Sequence, residues 1–78
     1  IYKTLIVVKS KLKTDSVATV KEWVKEQFDR HPNLNLEYFT IADELSLEEV
    51  NHVDDERKYR AFIAVFAGDI RLIDNIDL

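Results

Sequence analysis

His52, Asp54, Asp55 and Glu56 bring one imidazole and three carboxylates into a short stretch, a donor set able to ligate a divalent cation. Metal centres draw three or four converging ligands and an outer shell that orients them, so a single histidine beside an acidic run reads as a solvated loop. Ser10, Ser16 and Ser46 lack the glycine-flanked elbow of an activated nucleophile, and neither histidine has an identifiable partner. His31 precedes Pro32, where an imidazole can hydrogen-bond the last carbonyls of a helix. Trp23, Tyr38 and Phe39 are candidates for a platform that stacks a base or adenine ring, although strand aromatics belong more often to a core. Arg71-Leu72-Ile73-Asp74-Asn75 would place a charge at each end of one strand. Its plainer reading has Asp-Asn ending the strand and Arg71 pairing with a nearby carboxylate. From residue types alone, no self-contained active site emerges.

The elements that would carry these groups follow from periodicity. Ile1, Leu5, Val8 and Leu12 form the stripe of a first amphipathic helix, with lysines at 3, 9, 11 and 13 keeping the rest wet. At a spacing of two, Lys9, Lys11 and Lys13 scatter around that helix. Thr14-Asp15-Ser16 offers N-cap oxygens for a second helix whose stripe is Val17, Val20, Val24 and Phe28. Glu26 and Arg30 stand in the favourable i, i+4 order, and Pro32 stops the helix before His31. Leu36 to Ala42 reads as a strand. Ser46-Leu47-Glu48-Glu49 fits a capping box and predicts a short helical turn through Val50, followed by an acidic loop. Ala61 to Ala67 is a nearly continuous apolar run suited to a central strand. Gly68-Asp69 then has the signature of a type II′ hairpin, with Ile70 to Ile73 as the returning strand. The expected fold is α+β: two N-terminal helices packed on a small, three-stranded, mainly antiparallel sheet, with a short helical turn before a C-terminal β-hairpin.

Composition bounds the function. The 78 residues make one domain, 46% hydrophobic, and size scaling gives a folded surface of about 4,900 Å². Without cysteine there is no disulfide, thiolate metal site or cysteine nucleophile. With Gly68 alone, no glycine-rich phosphate loop can form. No apolar run reaches the length of a membrane span and no signal peptide is seen, so a cytoplasmic location is expected. Residues 1–30 carry seven basic and four acidic side chains, residues 31–78 four and eleven. An acidic second half repels phosphate, so nucleic acid is not an expected partner. Opening at Ile1 inside an apolar pattern, the chain is expected to be a domain of a longer protein.

Gly68-Asp69-Ile70-Arg71-Leu72-Ile73-Asp74-Asn75, preceded by the apolar strand 61–67, resembles the close of the pantoate-beta-alanine ligase family. Ile1-Tyr2-Lys3-Thr4-Leu5 is similar to the first helix of that family's C-terminal domain. Leu36-Glu37-Tyr38-Phe39 with Asp43 resembles its tyrosine-containing strand, and Leu47 to Val50 resembles its Leu-x-Pro-Val turn. Glu49 stands where the family commonly has proline, and Ile70 where it has threonine or valine. The resemblance implies that residues 1–78 are the C-terminal lid domain of a two-domain enzyme. That enzyme would join pantoate to β-alanine through a pantoyl adenylate, using ATP and Mg²⁺, as a homodimer formed mainly by its N-terminal domains. The partner of this segment would be the N-terminal Rossmann-like catalytic domain of the same chain. No catalytic, cofactor or metal position of the family maps onto these residues, so the isolated segment is expected to be an inactive monomer that binds no cofactor. Gly68, Arg71, Asp74 and Asn75 are the expected structural or domain-docking motif. The alternatives are a stand-alone acidic protein-interaction module and a metal-binding domain around His52.

Overall fold

The computed structural model describes residues 1–54 and 56–78. Two helices, α1 (Tyr2–Lys11) and α2 (Val17–Asp29), precede three strands, β1 (Leu34–Asp43), β2 (Tyr59–Ala67) and β3 (Ile70–Asp77). The sheet is antiparallel in the order β1-β2-β3, so β2 is central. The helices share one face of it, α2 over β1 and α1 over β3. This is the expected α+β architecture.

Both helical stripes point where their spacing predicts. Leu5 and Val8 of α1, and Val17, Val20, Val24 and Phe28 of α2, are buried against Ile41, Ala61, Ile63, Val65 and Ile76 from the sheet. Ser16 caps α2: its hydroxyl oxygen accepts the Thr19 N–H at 3.2 Å, satisfying a donor the helix cannot. At the other end the His31 backbone N–H donates to the Phe28 carbonyl, and among the described residues the His31 imidazole makes no hydrogen bond to the last helical carbonyls, so the expected imidazole cap is absent. Among the described residues Glu26 and Arg30 make no ion pair, so that expected i, i+4 contact is absent.

Gly68 turns the hairpin at φ +62° while Asp69 keeps a negative φ, as a type II′ turn requires. Beyond the turn β3 runs to Asp77, four residues past its expected end at Ile73. Asp74 and Asn75 therefore lie within the strand, paired with Ile63 and Phe62, and do not terminate it. A polar pair is tolerated because β3 is an edge strand.

The short helical turn expected at 46–50 is also absent. Asp43, buried at the end of β1, accepts the N–H groups of Leu45 and Ser46 at 2.9 and 3.1 Å and closes a turn there. Leu47 takes φ +62°, after which the chain doubles back along the outer edge of β1, where Ala42 bridges Glu49. Glu49 is held by the Lys21 ammonium at 2.9 Å and the Thr40 hydroxyl at 2.8 Å. The capping box loses because its glutamate has tertiary partners and the turn's N–H groups already have Asp43.

One irregularity sets the register of β1. The pairing shifts between Leu36 and Tyr38, leaving Glu37 as an extra, bulged residue. Leu34 and Leu36 before the bulge, and Phe39 and Ile41 after it, all pack toward the helices.

Candidate functional site

Cross-strand partners share a face, so the register assigns the side of the sheet that the helices leave open. From β2 it takes Arg60, Phe62, Ala64 and Phe66; from β1 Tyr38, Thr40 and Ala42; from β3 Arg71, Ile73 and Asn75. Its middle is apolar. Ala64 is wholly buried although no helix lies on that side, because it is paired with Tyr38 and Ile73 and flanked by Phe62 and Phe66. Those four larger side chains form the outer surface, with Tyr38 37% and Ile73 58% exposed.

Each end of this apolar strip is closed by an arginine. At the hairpin end Arg71 reaches across β2 to Glu37 in a two-pronged pair, Nε to Oε2 at 2.8 Å and Nη2 to Oε1 at 2.9 Å. The hydrogen bond to Glu37, and then its charge, raise the guanidinium pKa further above its ordinary value. At the opposite end Arg60 donates to Asn75 Oδ1 at 2.7 Å and to Glu44 Oε1 at 3.4 Å, linking β3 to the loop after β1. The strand period splits the expected motif. Arg71 and Asn75 lie on the open face; Asp74 lies on the helix side, where its carboxylate accepts the Asn75 N–H at 2.8 Å. Gly68 is confined to the turn.

The other candidates separate. Trp23 sits between the helices, with the Lys11 ammonium 5.0 Å from its ring centre. Phe39 packs on the core and Tyr38 on the opposite side of the sheet, so no three-ring platform exists. His52 and Asp54 line an open cleft of about 560 Å³ with Lys9, Lys13 and Arg57. Lys9 and Lys13 line this cleft while Lys11 lies over Trp23, so the three lysines scatter as their spacing predicts. Asp54 accepts the N–H groups of Glu56 and Arg57, while Asp55 lies outside the described residues. Among the described residues no group of three or more histidines and carboxylates is placed to hold a metal ion. No described helix is long and apolar enough to cross a membrane. Ser16 and Ser46 serve backbone turns.

Sequence reasoning missed Glu37, Arg60, Phe62 and Phe66 as members of one surface. A signal was available for the two phenylalanines: a strand apolar at every position has no solvent face.

Comparison with known proteins places the chain in a family. The sequence profile of the pantoate-beta-alanine ligase family matches residues 1–77. A pantothenate synthetase of Flavobacterium psychrophilum is 45% identical over the whole chain, which covers 28% of that relative. One of Christiangramia forsetii is 48% identical over 65 residues, 83% of this chain and 23% of the relative. The crystal structure of the pantothenate synthetase of Thermus thermophilus superposes with a TM-score of 0.79 at 22% identity, covering 96% of this chain and 27% of that one, and so supports the fold. The chain spans little more than a quarter of the length of these relatives. By the match over residues 1–77 and the whole-length identity to a curated relative, this chain belongs to the pantoate-beta-alanine ligase family.

Proposed function

We propose that these residues form the C-terminal lid of a two-domain ligase that joins pantoate to β-alanine. The observation that carries the reading is the family match over residues 1–77, combined with coverage of only 28% of a relative's length. In the proposed reaction the pantoate carboxylate attacks the α-phosphorus of ATP and pyrophosphate leaves. The β-alanine amine then attacks the acyl carbon of the resulting pantoyl adenylate, forming the amide and releasing AMP. That mixed anhydride must be shielded from water, and a domain closing over the cleft supplies the shield.

The described residues do not fit the nucleotide or its Mg²⁺. The single glycine forms a hairpin turn, and among the described residues no group of three or more carboxylates and histidines gathers for a cation. The reading therefore assigns both to an N-terminal Rossmann-like domain of the same chain, in a cytoplasmic enzyme that dimerises mainly through that domain. The test compares pantothenate formation by the full-length parent with that of a version ended just before Ile1. Turnover should fall by orders of magnitude on truncation; an unchanged rate would refute the lid.

A further inference from the structure

The open face of the sheet stays uncovered although its central strand is apolar on both sides. Ala61, Ile63 and Val65 are buried under the helices, while Phe62 and Phe66 on the same strand point away from them. Continuous apolar strands of this kind belong to sheets covered on both faces; a sheet with one wet face alternates. The surface area agrees. At 5464 Å² it exceeds the ~4,900 Å² expected of a compact monomer of this mass by roughly a tenth. An apolar centre between two arginine-anchored polar ends is also the anatomy of a protein interface.

We infer that this face is where the remainder of the parent polypeptide docks, through Tyr38, Phe62, Phe66 and Ile73, framed by Arg71–Glu37 and Arg60–Asn75. The inference rests on the lid reading for the identity of that occupant. Its support is the length of chain beyond these residues, since they cover 28% of a curated relative. A covalently tethered neighbour is present at millimolar effective concentration, which favours it over a second copy of the domain. The other exposed apolar residues lie off this face: Leu45 and Leu47 at a loop, Tyr2, Ile6 and Val7 on α1, and Ile70 and Leu72 on the helix side of β3. Asp74 takes no part in docking, because it faces the helix layer.

Carbene footprinting of the full-length parent tests the surface, with and without ATP, Mg²⁺ and pantoate. Tyr38, Phe62, Phe66 and Ile73 should label at least fivefold less than Leu45 and Leu47, per unit of area exposed in the domain, in one or both states. Labelling equal to that of Leu45 in both states would overturn the proposal. So would protection that disappears on dilution to monomer, which would identify a second copy as the occupant. Ile73→Glu should increase labelling of Tyr38 and Phe66 and lower turnover, whereas Ile70→Glu, on the same strand, should change neither. The two readings fail separately. A freely labelled face with turnover still lost on truncation removes the docking surface alone, and a protected face with turnover kept on truncation removes the lid alone.

Discussion

Ile63 and Ile73 occupy adjacent strands but opposite faces, and truncating each to alanine measures how unequally the faces contribute. Ile63 is fully buried between the sheet and both helices. Removing its side chain beyond Cβ costs about 2–5 kcal/mol in lost transfer energy and residual cavity. Stability of roughly 4–12 kcal/mol is expected at this length, so the loss is a large share of the total. Ile73 is 58% exposed. About two-fifths of a full burial worth ~1.5–3 kcal/mol gives about 1 kcal/mol or less. Each kcal/mol shifts Tm by about 4–8 °C in a domain this small. Differential scanning calorimetry on the 78-residue chain should therefore show Ile63→Ala lowering Tm by more than about 8 °C and Ile73→Ala by under about 8 °C, with Ile63 at least twice as damaging. Equal shifts would mean that the open face contributes as much to the isolated fold as the helix-covered face, and the two-face argument would fall. In the full-length parent, where docking would cover Ile73, the gap between the substitutions should narrow.

Ser16→Ala removes the oxygen that accepts the Thr19 N–H and should cost about 1 kcal/mol in urea unfolding; no change would show that the cap is idle. Gly68→Ala meets no atom within 4 Å, so its cost is conformational alone, about 1–2 kcal/mol, and Gly68→Asn should cost less. The carboxyls of Asp43, through the N–H groups of Ser46 and Leu45, and of Glu49, through Lys21 and then Thr40, lie below their ordinary pKa values. Their stabilisation is complete above about pH 5 and is lost as pH falls through the unfolded values near 4 and then the lower folded ones. Urea midpoints against pH should thus drop more steeply on the acid side for the wild type than for Asp43→Asn, and parallel curves would remove Asp43 from the acid limb.

The parts legible in the sequence are those decided within a few residues. Ser16 and the 17/20/24/28 stripe define α2 locally, and Gly68 defines the hairpin. Where a distant partner intervenes, the sequence misleads. Ser46 and Glu49 make a convincing capping box until Asp43 takes the turn's N–H groups and Lys21, 28 positions away, takes the glutamate. Asp74-Asn75 resembles a strand end, yet Asn75 is engaged by Arg60 from β2 and pairing continues. That misreading also hid the candidate face, because its β3 edge needs residues 71, 73 and 75 on one strand. The partner of Arg71, Glu37, lies 34 positions away on a bulge, and nothing in the local pattern marks it.

Leu34, Leu36, Phe39 and Ile41 break strict alternation by one position, and Glu37 is the surplus residue. Deleting it would leave a strand of unbroken parity with the same inward set, so the core would survive, while Arg71 would lose its counter-ion. The bulge is thus a site where a single codon can be gained or lost without refolding the domain. Family members one residue shorter at this point are expected to keep the fold and to hold the two outer strands together by some other means.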